Sequence, residues 1–265
     1  ENVLKSGWLT HGKYTSLFEK EFSKYVKSKY AVTVSSCTAA LHLSCLACGF
    51  KKGDEVIVPS MTHVATAHAV EYTGAKPVFA DINLYDGNIS LNEVEKKVSN
   101  KTKGIIVVHM AGSICDMKKI QSFCKKKKIK IIEDCAHALG TESNNTFAGN
   151  FGISGCFSFY PTKQITTGEG GMLTTNNYSF YKKVKKLKAF GIDKDIDKRK
   201  KQGTYNVQLL GYNYRMTDFQ AAMGYNQILN YKKNLKLRKK LAFLYSKILS
   251  NNSNIKLPKF DKESS

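Results

Sequence analysis

Four short stretches of this chain place reactive side chains where a strand gives way to a loop. In FSFYPTKQITTGEGG (residues 157–171), Lys163 follows an aromatic strand and precedes a glycine-rich turn, apart from the lysine runs elsewhere. Alternation puts Phe157 and Phe159 on one face and Ser158 and Tyr160 on the other. A lysine turned inward beside aromatic residues loses solvation, and its amine becomes available for Schiff-base chemistry. On local grounds alone, a solvated surface lysine is the alternative. IIEDCAHALG delivers Glu133 and Asp134 at the end of a buried strand, with His137 three residues further on. A carboxylate there can hold a ring nitrogen in its protonated form by ion pairing. It could also ligate a metal together with His109 or His137, but nothing else in the chain has metal-ligand spacing.

VSSCTAAL turns from a strand into a helix beginning near Thr38. The unpaired amides of a first helical turn suit a phosphate, with Thr38 and Ala39 donating from the main chain and Ser36 or Thr38 adding a hydroxyl. An ordinary serine cap would look the same. Finally, GYNYRMTDFQAAMGYNQI carries Asn213 and Arg215 on a polar, aromatic loop. Thr217 then caps a helix whose small side chains predict close packing against another helix or another subunit. A phosphate seat, a carboxylate for a ring nitrogen and a lysine amine, on separate strand ends, match the needs of pyridoxal 5'-phosphate. Its phosphate anchors it, its aldehyde takes the lysine, and its protonated pyridine is the electron sink.

The elements that must position these groups read as an α/β protein. From residue 30 to about 135, β-branched runs (YAVTVSS, DEVIVPS, KPVFADI, KGIIVVHM, IKIIEDC) alternate with stretches of helical periodicity. Such alternation predicts a parallel sheet covered by helices, with ligands at the C-terminal ends of its strands. Ser90 and Glu93 have capping-box spacing, and Asp116 is placed to cap the next helix. ISGCFSFYP and GGMLTTN read as two strands around the lysine loop. The last third reads as two helices, near residues 216–230 and 231–250, with a loop near KQGTYNVQLLGYN. From about Asn251 the chain is expected to cross into a second domain.

Composition narrows the function classes. No run approaches the roughly 20 apolar residues of a membrane helix, and the amino terminus lacks the basic and apolar regions of a secretory signal. Seven scattered cysteines, an odd number, predict reduced thiols and a cytoplasmic protein. Cys45 and Cys48 form a C-x-x-C inside what reads as a buried helix, where cysteine acts as a small hydrophobe. The net charge is +21, yet only Arg199, Arg215 and Arg238 among 42 basic residues are arginine, the preferred residue for phosphate and base recognition. The lysines therefore read as solvated helix faces rather than a nucleic-acid surface, and an acidic small-molecule substrate is compatible with them.

The ordered motifs SGWLTHG, SSCTAALHL, DEVIVPSMTHVATAHAV, GAKPVFADI, IIVVHMAGSICDM, IIEDCAHALG, FSFYPTKQITTGEGGML and GYNYRMTDFQAA resemble the DegT–StrS family of fold-type I pyridoxal-phosphate enzymes, the nucleotide-sugar aminotransferases. The resemblance runs from about residue 3 to 250. It implies the large domain of that fold over residues 1–250, a mostly parallel central sheet covered by helices. Residues 251–265 would begin a small C-terminal domain that is largely missing. It implies that Lys163 is the Schiff-base lysine and proton carrier, that Asp134 binds the pyridine nitrogen, and that Thr38 and Ala39 hold the phosphate with help from Ser158. Asn213 would reach a phosphate across a homodimer interface. His63 stands where the family usually has a stacking Trp or Phe, His137 where a Gln near the phenolic oxygen is common, and Cys37 where the phosphate turn usually has Gly. The implied reaction moves an amino group from glutamate to a keto sugar on a nucleotide, feeding surface polysaccharides or related glycoconjugates. Dehydratases of the same family replace the lysine with histidine, and this chain keeps lysine. A basic nucleic-acid-binding protein is the reading from another class, and it leaves four cofactor motifs in order unexplained.

Overall fold

In a computed structural model, which describes residues 1–10, 12–192, 204–255 and 257, the chain forms a three-layer α/β structure. In chain order come α1 (Asn2–Ser6), α2 (Lys13–Val26), β1 (Tyr30–Val34), α3 (Cys37–Cys48), β2 (Glu55–Pro59), α4 (Ala65–Glu71), β3 (Lys76–Ala80) and α5 (Leu91–Lys97). These are followed by β4 (Thr102–Val108), α6 (Met117–Lys127), β5 (Lys130–Asp134), β6 (Glu142–Ser143), β7 (Thr146–Phe147), β8 (Ser154–Ser158), β9 (Gly171–Thr175), α7 (Tyr178–Leu187) and α8 (Asp218–Leu249).

Seven strands form one sheet in the order β1-β9-β8-β5-β4-β2-β3. The expected parallel arrangement holds for the pairs β2–β3, β2–β4, β4–β5 and β5–β8, while β9 runs antiparallel to both neighbours, β1 and β8. The reason lies in the connection. Residues 159–170 contain no crossover helix, so the chain leaving β8 turns back and pairs alongside it. That return is the lysine loop.

Strand alternation divides the sheet between two cores. Ile106, Ile132, Cys156 and Leu173 face α3, α4 and α7. Phe157 and Met172 face α2 and α8, and Ile105, Val107 and Ile131 face α5 and α6. Phe157 and Phe159 lie on one side as expected, edge-on or tilted against Phe18 and Phe22 of α2, with ring centroids 5.0–5.7 Å apart. Each such buried ring contributes about 1.5–3 kcal/mol. The same alternation sends Asp134 to the α3/α4 side and Glu133 to the other.

Several expectations are corrected. Residues 216–250 are not two helices: α8 runs unbroken for 32 residues, opened by a capping box of Thr217 and Gln220. No glycine or proline interrupts the helical run around residues 230–231, so nothing there stops propagation. The Ser90–Glu93 capping box does not form. Ser90 caps α5 without a side-chain hydrogen bond, and Glu93 instead pairs with Lys96 at 2.7 Å. Asp116 does cap α6, accepting from the Lys119 amide. Helix α3 begins one residue earlier than expected, at Cys37. A β6–β7 hairpin, unanticipated, turns on Asn144 and Asn145, both with positive φ, a conformation asparagine tolerates. The small residues of α8 pack within the chain: a Cβ on Gly224 would lie 2.4 Å from the Phe18 ring of α2. Residues 201–203 of the expected loop, and most of 251–265, lie outside the described residues.

Candidate active site

Strand register assembles the site. Val34 of β1 sits opposite Gly171, Gly171 opposite Ser158, and, one strand further, Cys156 opposite Asp134 and Asp134 opposite Val108. The loops carrying Ser36–Cys37, Lys163, Asp134–His137 and His109 therefore emerge along one edge of the sheet.

Ser36 is the N-cap of α3, and its hydroxyl accepts from the Ala39 amide at 3.0 Å. The expected Ala39 donor is thus engaged within the chain, and a phosphate seated here would compete with Ser36 for it. Thr38 is half-buried in the first turn, where the helix geometry leaves amides without intrahelical acceptors. Gly171 presses its backbone against this turn. A Cβ there would meet the Ser36 carbonyl carbon at 2.5 Å and the Cys37 nitrogen at 2.7 Å. Gly171→Ala is therefore expected to push the turn off β9, costing about 1–3 kcal/mol of stability. It should also raise the dissociation constant for pyridoxal phosphate, measured by absorbance titration. An unchanged constant would show that the turn does not seat the ligand.

Asp134 is 5% exposed. Its carboxylate accepts from Thr66 Oγ1 at 2.9 Å, from the Ala136 amide at 3.1 Å and weakly from the Cys37 thiol at 3.9 Å. All three donors are neutral, so the carboxylate is aimed and desolvated but not neutralised by them, which suits a cationic ring nitrogen. Thr66, inside α4, was not singled out by sequence; only its place on the buried face of a short helix marks it. Burial and the Asp134 carboxylate push the Cys37 thiol well above its usual range, with Lys163 pulling the other way. His137 is held below the usual imidazole range by burial and by the nearby Lys163 and His63 side chains, against an opposing pull from Asp134. These couplings place Lys163, Asp134, Cys37, His137 and His63 in one neighbourhood. His137 Nδ1 accepts from the Ala111 amide at 3.4 Å, which leaves Nε2 as the protonated nitrogen.

Lys163 is half-buried in the turn after β8, its amide donating to the Tyr160 carbonyl at 2.9 Å. The loop is held from two sides. Gln164 donates to the His137 carbonyl, tying it to the Asp134 loop. From α8, Gln227 accepts from the Thr166 amide at 3.0 Å and Gln220 donates to the Glu169 carbonyl at 2.8 Å. None of these glutamines had a local sequence signal beyond the Thr217–Gln220 capping spacing. Ser158 is half-buried on the same face as Asp134, whereas His63 is exposed at the start of α4 and Asn213 is exposed beside Arg215, whose Nε donates to it at 3.0 Å.

The metal alternative fails on donor chemistry. His109, Glu133 and Cys135 bring one ligand atom each within 4.8 Å of one another. Yet Glu133, fully buried, already accepts from His109 Nε2 at 3.0 Å and from the Gly149, Phe151 and Gly152 amides at 2.7 Å. His109 Nδ1 accepts from the Cys115 amide at 3.3 Å. With both His109 nitrogens and both Glu133 oxygens committed, the cluster stitches residues 149–152 to β5. The Cys45–Cys48 pair is likewise structural: both thiols are free and buried in α3, and burial holds Cys45 well above its usual range and Cys48 up to about 12.

A helix-covered, mostly parallel sheet with a helix turn, a buried hydrogen-bonded carboxylate and a lysine at one edge matches the fold of the pyridoxal-phosphate aminotransferases. The family model described as "DegT/DnrJ/EryC1/StrS aminotransferase family" matches residues 1–265, and the chain belongs to that family. It is 38% identical over 261 residues to GDP-perosamine synthase of Escherichia coli O157:H7, covering 98% of this chain and 69% of that protein. To the spore coat polysaccharide biosynthesis protein SpsC of Bacillus subtilis it is 40% identical over 246 residues, covering 92% of this chain and 63% of SpsC. The solved structure of PseC from Helicobacter pylori, an aminotransferase involved in the biosynthesis of pseudoaminic acid, matches with a TM-score of 0.88 and 32% identity over 95% of this chain and 67% of PseC. The chain thus spans about two thirds of the length of these relatives. Among the described residues, no helix is long and apolar enough to cross a membrane.

Proposed function

We propose that this protein, in a cytoplasmic homodimer, transfers an amino group from glutamate to the keto carbon of a nucleotide-linked sugar, for a surface polysaccharide or related glycoconjugate. The observation that carries the reading is the aimed, buried Asp134 sharing a neighbourhood with Lys163 at the edge where β9 seats the helix turn. Bound pyridoxal phosphate supplies an electrophilic carbonyl and a ring that accepts electron density. The roles of the chain's own residues follow. Lys163 Nζ holds the cofactor and then moves a proton at the reacting carbon, within a loop kept in place by Gln164, Gln220 and Gln227. Asp134, oriented by Thr66 and the Ala136 amide, keeps the ring nitrogen protonated. The first turn of α3, through Thr38 and Ala39 with the Ser158 hydroxyl, takes the phosphate, and Asn213 reaches it from a second copy. His137 donates from Nε2 to a ring oxygen, and the exposed His63 imidazole covers the ring face.

Residues 1–250 act on this reading as the large domain. The relatives support the substrate class, since they are named for the synthesis of GDP-perosamine, of a spore coat polysaccharide and of pseudoaminic acid. Incubation with a panel of keto sugar nucleotides and glutamate, read by mass spectrometry, is expected to give one aminated sugar and 2-oxoglutarate. Loss of water from a sugar without nitrogen gain would instead favour the dehydratase reading.

A further inference from the structure

His42 lies one helical turn beyond Thr38 on α3 and is 3% exposed, yet the lysine-to-phosphate machinery above does not use it. Its Nδ1 is 3.1 Å from the Tyr214 hydroxyl, and its Nε2 is buried with no hydrogen-bond partner among the described residues. The rings around it are those of Tyr72, Tyr212 and Tyr214, with centroids at 5.3, 4.9 and 5.8 Å. Burial lowers its affinity for a second proton, so the imidazole stays neutral and able to pair with a hydroxyl in either direction.

What this contact fixes is the segment 212–215. Tyr212 and Tyr214 stack on each other 5.1 Å apart on the His42 side, and alternation sends Asn213 and Arg215 the other way. The segment is also pinned by its backbone. The Ser35 amide donates to the Tyr214 carbonyl at 3.0 Å, the Tyr214 amide to Lys188 at 3.0 Å, and the Tyr212 amide to Leu187 at 2.7 Å. Ser35 immediately precedes the Ser36–Cys37 turn. Tyr214 is therefore held at both ends by the phosphate-turn element: at its carbonyl by Ser35, at its hydroxyl by His42. Nε2 is left without a partner at a cost while Nδ1 meets the Tyr214 hydroxyl, so the hydrogen bond this buried ring makes among the described residues is spent on the 212–215 segment.

We infer that His42 and Tyr214 are positioning residues, which lock the outward presentation of Asn213 to the same helix whose first turn seats the phosphate. The inference rests on the reading that Asn213 grips a phosphate from a second copy. In each copy it ties the turn that seats that copy's own phosphate to the Asn213 that reaches the other copy's phosphate, so that loosening Tyr214 weakens the hold on the phosphate and not on the ring.

The test compares binding of pyridoxal phosphate and of pyridoxal, which lacks the phosphate, by absorbance titration of the purified protein. Tyr214→Phe, which removes only the hydroxyl, is expected to raise the dissociation constant for pyridoxal phosphate about 3- to 10-fold and leave that for pyridoxal unchanged. His42→Gln, which keeps a polar group, should fall between Tyr214→Phe and the unaltered protein. In an Asn213→Ala background, Tyr214→Phe should have no further effect. Equal weakening of both ligands by Tyr214→Phe would show a role in general folding and overturn the inference. If Asn213→Ala weakens pyridoxal phosphate binding but Tyr214→Phe does not, the inference alone fails. If Asn213→Ala itself has no effect, the assignment of Asn213 fails and the inference with it.

Discussion

Lys163→Ala is expected to abolish steady amino transfer, by about 10³-fold or more, and to eliminate the visible absorbance of the lysine-bound cofactor. Two functions disappear together. The amine that holds the cofactor is lost, and so is the group that moves a proton at the reacting carbon, a role worth about 10²–10⁴-fold by itself. The fold should survive: Lys163 is half-buried in a loop, and the anchors of that loop, Gln164, Gln220 and Gln227, remain. Circular dichroism and thermal midpoint should therefore match the unaltered protein. A small amine added to the solution should restore part of the turnover by supplying the missing base. Retained turnover with the absorbance band intact would sink the assignment.

Asp134→Asn should cost about 10²–10³-fold in turnover, comparable to removing one preorganised electrostatic contact from an active site. Asparagine keeps an oxygen for the Ala136 amide at the Oδ1 position, and its NH2 at the Oδ2 position can donate to the Thr66 hydroxyl, so both contacts can persist with the Thr66 bond reversed. What it lacks is the charge that stabilises a protonated ring nitrogen. Asp134→Ala is the less informative change, because it also strands two buried donors at about 1–3 kcal/mol each and confuses stability with chemistry. Reconstituting Asp134→Asn with a cofactor analogue methylated at the ring nitrogen, whose positive charge is permanent, should recover much of the loss. No recovery, with binding confirmed by absorbance, would place the defect elsewhere.

The site was more legible in sequence than parts of the fold. Asp134 closes a strand, and the Ser36–Cys37 turn and Lys163 follow one within a few residues; a strand end is a local pattern: β-branched residues, then small or polar ones. The helix boundaries in the last third were not legible. Two periodic stretches joined without a breaker look the same as one, and only the continuous α8 decides between them. The Ser90–Glu93 box failed because a spacing cannot show which partner wins, and Lys96 took Glu93. Thr66, His42 and the glutamines were missed because their partners lie 27, 51, 61, 68 or 172 residues away in sequence.

From the sequence alone came the alternation of strands and helices, the faces on which Phe157 and Ser158 part, and the types of group available to hold a cofactor. These follow from periods of two and 3.6 residues, which any local segment carries within itself. The tertiary structure decided which groups meet. Register across β1, β9, β8 and β5 sets Gly171 against the helix turn and brings Asp134 to the same edge. The short return through the lysine loop reverses β9, and burial around Glu133 commits a would-be metal ligand to backbone amides. Those outcomes depend on contacts between residues distant in sequence, where packing and hydrogen-bond satisfaction choose among pairings that local pattern leaves equivalent.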